Sequence, residues 1–183
     1  MPYIYGHNLR LRSAERADIP QFLRWVNDPE VVENLEVYAP IGTVEEEGWF
    51  EEMKKRPIDE QTLVIEVHPE GEDDKWVVIG NTTFIRINEK VRYAEIGIMI
   101  GEKDYWNKGH GTEAMGTMCR YAFEELNLNR VWLRVYDTNP RGRRAYEKAG
   151  FVYEGTLRQA EYKHGRYIDV HVMSVLTSDW IKS

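Results

Sequence analysis

The chain has 183 residues and carries 24 Lys and Arg against 31 Asp and Glu, a formal charge of −7. No stretch approaches the roughly 18 uninterrupted apolar residues of a bilayer helix, and Met1–Arg12 lacks the apolar run of a secretory leader, so a cytoplasmic protein without a membrane partner is expected. A single cysteine, Cys119, excludes a disulfide framework or a cysteine-pair zinc site, and the five histidines are scattered without ligand spacing, so no metal is expected.

The charge is unevenly spread: residues 1–75 hold 18 acids and 8 bases, residues 76–183 hold 13 and 16. An acidic first half suits a cation and a mildly basic second half an anionic cofactor. The runs Glu45–Glu47 and Glu70–Asp74 also read as solvated faces or loops, and the balance offers nothing to nucleic acid. With 42% hydrophobic residues and neither repeat nor linker, residues 1–183 are expected to form one continuous domain with a sizeable core.

Leu9-Arg10-Leu11-Arg12 reads as a short strand. Ser13, then Glu15-Arg16 and the apolar set Ile19, Phe22, Leu23 and Val26, predict a capped amphipathic helix closed by Pro29. A second helix is expected over Val44–Lys55, where Trp49, Phe50 and Met53 share a face. The period then changes to two. Thr62–Val67, Trp76–Ile87 and Arg92–Ile100 read as strands, the last two joined at Asn88-Glu89-Lys90 into an antiparallel hairpin. After Gly109-His110-Gly111 a helix carries Met115, Met118, Ala122 and Leu126 on one face. Val131–Asp137 is a strand, and Asn139-Pro140 and Gly150 bound a further helix. Phe151–Glu161 and Arg166–Leu176 close the chain as strands around the turn Lys163-His164-Gly165. The order predicts a mixed α/β (α+β) fold with antiparallel hairpins flanking a strand-helix-strand-helix unit.

The stretch with chemistry in it is Trp106-Asn107-Lys108-Gly109-His110-Gly111-Thr112, between a strand and a helix. A helix start exposes unpaired N–H groups and the positive end of the dipole, glycines admit a phosphate close to the backbone, and Lys108 adds a charge. The stretch is neither a nucleotide P-loop, lacking Lys-Ser/Thr after the second glycine, nor a dinucleotide fingerprint, lacking a third glycine. Two glycines here also serve a purely structural tight turn.

Together with Ala94-Glu95-Ile96-Gly97-Ile98-Met99-Ile100 before it and Asn139–Phe151 after it, the loop resembles that of the GNAT acyl-CoA-dependent N-acetyltransferases, in the branch of bacterial Rim-type and spermidine acetyltransferases. The resemblance covers Leu9–Trp180. It implies a largely antiparallel sheet of about seven strands whose fourth and fifth part to admit the pantetheine arm. It implies acetyl-CoA as co-substrate, with the pyrophosphate on the amides of Lys108, Gly109, His110, Gly111 and Thr112. Ile98, Met99 and Ile100 would bind the pantetheine, Asn139 would join them, and Tyr146 would face the sulfur. Arg143 and Arg144 are candidates for the coenzyme phosphates. The loop departs from the family at its first position, where Trp106 stands in place of the usual Gln or Arg.

A primary amine must lose its proton before attacking a thioester, although a free alkylamine has a pKa of about 10.4. Glu95, on a strand face with Tyr93, Gly97 and Met99, is the candidate base; an ion-paired surface carboxylate is the bland alternative. A backbone donor near Met99 would stabilise the developing oxyanion, an effect worth about 3 kcal/mol. Tyr146 is the candidate proton donor to the leaving thiolate, against a role as a packing aromatic. Cys119 reads as a small buried hydrophobe and His164 and His171 as ordinary surface or core histidines.

For the acceptor, Asp28, Glu30 and Glu33 near Trp25 and Tyr38 suit a cation. The resemblance points first to a protein or peptide N-terminal amine, with a polyamine, an aminoglycoside or an amino sugar as alternatives. The closing hairpin and exposed strand edges offer a homodimer surface. Two rivals stay open: a catalytically silent acyl-CoA-binding module and a glycine-loop phosphotransferase.

Overall fold

The structure, a computed structural model, describes residues 3–69 and 75–180; the acidic run Glu70–Asp74 lies outside them. In chain order the elements are β1 (Ile4–Tyr5), β2 (Leu9–Ser13), α1 (Ile19–Val26), α2 (Pro29–Val32), α3 (Thr43–Lys54), β3 (Leu63–Val67), β4 (Val77–Asn88), β5 (Tyr93–Ile100), α4 (His110–Arg120), β6 (Arg130–Tyr136), α5 (Pro140–Lys148), β7 (Val152–Lys163), β8 (Arg166–Leu176) and α6 (Thr177–Trp180). All eight strands join one sheet in the order β1-β2-β3-β4-β5-β6-β8-β7. Only β5 and β6 pair in parallel. The strand beyond the expected seven is β1, two residues too short to show a period.

Four local expectations are corrected. Ser13 does not cap a helix; it ends β2 opposite Leu63. The cap comes two residues later, where the Glu15 amide donates to Asp18 Oδ2 at 2.8 Å across the 3-10 turn of residues 16–18, and α1 starts at Ile19. Pro29 opens α2 as well as closing α1, because Asp28 accepts the Glu30 amide and proline needs no partner at a first helical position. The β4–β5 loop runs over residues 89–92, its end fixed by the Arg92 amide donating to Asn88 O at 2.7 Å. The helix toward Leu126 also changes character, since Tyr121–Glu125 forms a π-turn.

Alternation along the strands gives each face of the sheet an apolar set to bury. On one face Leu9, Leu11, Ile65, Val67, Ala94, Ile96, Val131, Leu133 and Val135 pack against Ala114, Met115, Met118 and Cys119 of α4. On the other, Val64 meets Phe22 and Trp25 of α1 and Phe50 and Met53 of α3. Fully buried side chains such as Leu11 and Met115 contribute about 2 kcal/mol each. Cys119 is one of them, its thiol pKa pushed up by burial. The turn between β7 and β8 places His164 at φ 51° and Gly165 at φ 77°, the two left-handed residues a two-residue hairpin loop requires. No helix among the described residues is long and apolar enough to cross a membrane.

Candidate active site

The parallel ladder between β5 and β6 lasts only from Tyr93, Ala94 and Glu95 against Arg130, Val131 and Trp132. Beyond it β5 stays with β4 as far as Ile100 and β6 stays with β8 as far as Tyr136, so the facing edges part. A bulge lies where they separate: Phe84 pairs with Ile96 and Arg86 with Glu95, leaving Ile85 over. A bulge bends and twists its strand pair, which here turns β5 away from β6. The opening is a cavity of about 670 Å³ whose walls include Ile85, Ile98, Met99 and Ile100. Ile98 and Ile100 pack on the α4 side and Met99 on the α1 side, so the three span the sheet with their backbone at the gap.

Each parting strand leads at its C-terminal end into a helix, so the starts of α4 and α5 converge on the same opening. Gly109, at φ 89°, makes the left-handed entry into α4, and Gly109, His110, Gly111 and Thr112 line the cavity. The Lys108 side chain is not among the lining groups; its ammonium lies 5.6 Å from the Tyr105 ring centroid. Burial lowers the His110 pKa, so its ring is neutral at pH 7. The Thr112 hydroxyl donates to Ala145 O at 3.3 Å and ties α4 to α5. Asn139 lines the cavity too, but its Oδ1 is already engaged as the cap of α5, accepting from Gly142 N–H at 2.8 Å.

The charged residue that sequence reading passes over is Arg141. Its guanidinium lies 3.9 Å from the Trp106 ring centroid, and among the described residues it forms no ion pair with a carboxylate. Burial lowers its pKa, the mark of a charge short of compensation. Trp106 is held in turn by its indole N–H donating to Ile100 O at 2.7 Å. Arg144 lines the cavity, whereas Arg143 pairs with Glu147 at 3.0 Å outside it. Tyr146, also lining the cavity, packs against Phe151 with ring centroids 6.2 Å apart. Burial pushes its phenol up to about 12, with the charge of Arg141 pulling the other way, so it is protonated at neutral pH.

The other face of the gap is acidic. Since Ala94 and Ile96 face α4, Glu95 faces the α2 side; by the same alternation Arg134 and Tyr136 of β6 share that side. Glu95 Oε1 accepts from Arg134 Nε at 2.8 Å, and Arg134 also reaches Glu36 at 3.1 Å. The acidic patch expected near Trp25 is otherwise engaged. Asp28 and Glu30 pair with Lys103, Glu33 meets His164 at 3.0 Å, and Trp25 is buried with its indole N–H on Glu102. Glu36, which carries no motif, takes the cavity position instead.

Comparison with known proteins gives one consistent family. A model described as an acetyltransferase (GNAT) domain matches residues 8–152. The spermidine N(1)-acetyltransferase of Vibrio cholerae is 31% identical over 176 residues, 94% of this chain and 95% of that one. The uncharacterized N-acetyltransferase p20 of Bacillus licheniformis is 28% identical over 180 residues, 98% and 99% of the two chains. A crystal structure of spermidine N-acetyltransferase from Vibrio cholerae in complex with CoA and spermine superposes with a TM-score of 0.82 at 29% identity, covering 95% and 98%.

Proposed function

The chain belongs to the GNAT family of N-acetyltransferases, and from that premise we propose that it moves the acetyl group of acetyl-CoA onto a primary amine of a small polycation of the spermidine class. The observation that carries the reading is the two-sided gap. Converging helix starts and the uncompensated Arg141 stand on one side, and Glu36 and Glu95 on the other. The first side fits a coenzyme diphosphate, because unpaired helix N–H groups and a desolvated guanidinium are both completed by an anion. The second fits an ammonium. This moves the acceptor from the peptide amine of the sequence reading to the polyamine alternative, a shift supported by the spermidine acetyltransferases among the relatives.

When bound, acetyl-CoA supplies an activated acyl carbon. The residues of the chain do the rest. The open edge of β5 at Ile98–Ile100 holds the extended arm by backbone hydrogen bonds, with a donor near Met99 for the carbonyl oxygen. Glu95 holds the incoming ammonium beside the opening, and the proton passes from the nitrogen to water. The neutral nitrogen forms the bond to the acyl carbon as the carbon–sulfur bond breaks. Tyr146 gives its proton to the departing sulfur and recovers one from the amide nitrogen through solvent, so that N-acetylamine, thiol and one released proton balance the ammonium and thioester consumed.

The test is thiol release from acetyl-CoA over a panel of polyamines, peptides and amino sugars. Turnover of spermidine with none for peptides is the expected result. Turnover of peptides alone reinstates the first acceptor, and coenzyme binding without thiol release for any amine establishes a silent binding module.

A further inference from the structure

One glycine on the cavity wall is required neither by packing nor by backbone geometry. A methyl group added at Gly80 would overlap Met99 O and one at Gly101 the Trp25 ring, so packing requires those two, and Gly109 is required by its φ of 89°. Gly97 stands in the middle of β5, lines the cavity and has a φ outside the left-handed region. A methyl there would lie 3.4 Å from Ile85 Cδ1 and meet no residue other than Ile85 and its own chain neighbours within 4 Å among the described residues. Glycine weakens a strand interior, where it marks the close approach of another group. The hollow above Gly97 opens into the cavity.

That hollow is apolar and sits at the closed end of the gap. Gly97 comes two residues after Glu95, the last β5 residue paired with β6, and shares the α1 side of the sheet with Met99. Its wall is Ile85, the residue left over by the bulge, 42% exposed and lining the cavity. Glu95 reaches the other way, across the gap to Arg134 at 2.8 Å, so the charged groups stand toward β6 and the apolar ones toward β4. On the opposite face Ile96 and Val135 are each 3% exposed and packed in the core beneath α4. An arm entering from the helix starts brings its acyl end here, where a longer carbon chain finds open apolar wall at Ile85 and Met99.

We propose that the chain also transfers acyl groups longer than acetyl, propionyl and butyryl among them, from their coenzyme A thioesters, and that Gly97 and Ile85 set the accepted length. The inference rests on the amine-acetylation reading above and extends it to the donor. The bonds that change are the same: the amine nitrogen bonds the acyl carbon, the carbon–sulfur bond breaks, and N-acylamine, thiol and one proton balance the ammonium and thioester consumed. Each methylene laid on an apolar wall is worth about fourfold in affinity, a gain that an acetyl donor lacks.

The test measures thiol release from acetyl-, propionyl-, butyryl- and hexanoyl-CoA for the native chain, Gly97→Ala and Ile85→Ala, with the best-used amine of the panel above as fixed acceptor. Native kcat/KM for propionyl- and butyryl-CoA is expected within about threefold of that for acetyl-CoA. Gly97→Ala, whose methyl fills the hollow, is expected to lower the butyryl-to-acetyl ratio about tenfold, and Ile85→Ala, which enlarges it, to raise the hexanoyl-to-acetyl ratio about fivefold. Ratios taken within one protein are independent of any loss of folded material, and opposite shifts in the two variants exclude a merely structural effect. Native turnover of butyryl-CoA below about a hundredth of that of acetyl-CoA, or ratios unchanged in both variants, overturns the proposal while leaving amine acetylation standing. A second series varies the amine with acetyl-CoA fixed; an effect of Gly97→Ala confined to that series gives the hollow to the acceptor and overturns the proposal as well. No thiol release from any thioester with any amine overturns the acetylation reading itself, and this inference with it.

Discussion

The guanidinium of Arg141 rests on the indole of Trp106, 3.9 Å from its centroid, at the meeting point of the α4 and α5 helix starts. The family's usual Gln or Arg at the first loop position is replaced by an aromatic platform, and the positive charge arrives from α5. A stacked guanidinium is oriented before the anion arrives, which lowers the cost of binding. Arg141→Ala is therefore expected to weaken coenzyme A binding about tenfold, with a shallower salt dependence, and Trp106→Ala to weaken it by about threefold. Isothermal calorimetry at two salt concentrations decides it; native affinity in Arg141→Ala would remove the residue from the site.

Tyr146→Phe is expected to lower kcat for thiol release about 100-fold with coenzyme affinity within about twofold of native. Because burial holds the phenol up to about 12, the native kcat should show no loss from its ionisation between pH 8 and 10. The same shift has a stability consequence. A folded pKa raised above the ordinary phenol value of 10.0 leaves stability intact below pH 10 and removes it as pH climbs toward 12, so the melting temperature of Tyr146→Phe should fall less steeply across that window.

The helix starts at His110 and Pro140 are legible in the sequence because Gly109 and Asn139-Pro140 are residues chosen by backbone geometry. The parting of β5 and β6 is not, since both strands alternate without interruption and the cause, the bulge at Ile85, lies on a third strand. Ser13 misleads because strand pairing with Leu63 outweighs its capping propensity. Arg141 and Arg144 are three apart and share a helix face, whereas Arg143 falls on another, so helical phase alone distinguishes the cavity-lining pair. Glu36 and Tyr136 carry no local pattern; only the docking of residues 31–36 over β6 gives them a common site.

That docking depends on Lys163, whose buried ammonium donates to Val32 O at 2.5 Å and Leu35 O at 2.7 Å. Lys163→Met keeps the stem and leaves both carbonyls unpaired, at a cost of about 1–3 kcal/mol. Amide exchange over residues 31–38 should accelerate, and the acceptor KM should rise without a change in coenzyme affinity. Exchange confined to its native rate would show that the segment is held by its other contacts.

The far edge of the sheet offers a pH test separate from the site. Arg130 of β6 reaches across β8 to Glu154 of β7, with N–O distances of 2.5 and 2.6 Å, while the Ser174 hydroxyl donates to the same carboxylate at 2.7 Å. The Arg130 hydrogen bond, aided by Ser174, holds the Glu154 pKa down at about 2. A depressed folded pKa gives stability that is present above the ordinary carboxylate value of 4.5 and lost as pH falls from there toward 2. Both side chains are partly exposed, so solvent screening keeps the effect small: Glu154→Gln should lower Tm by about 2 °C at pH 7. The difference from native should shrink through pH 4 and vanish near pH 2, and 1 M salt should reduce it at neutral pH. Calorimetric melts at those three pH values check this, and a difference that persists at pH 2 would assign the stabilisation to packing of β7 instead of to charge.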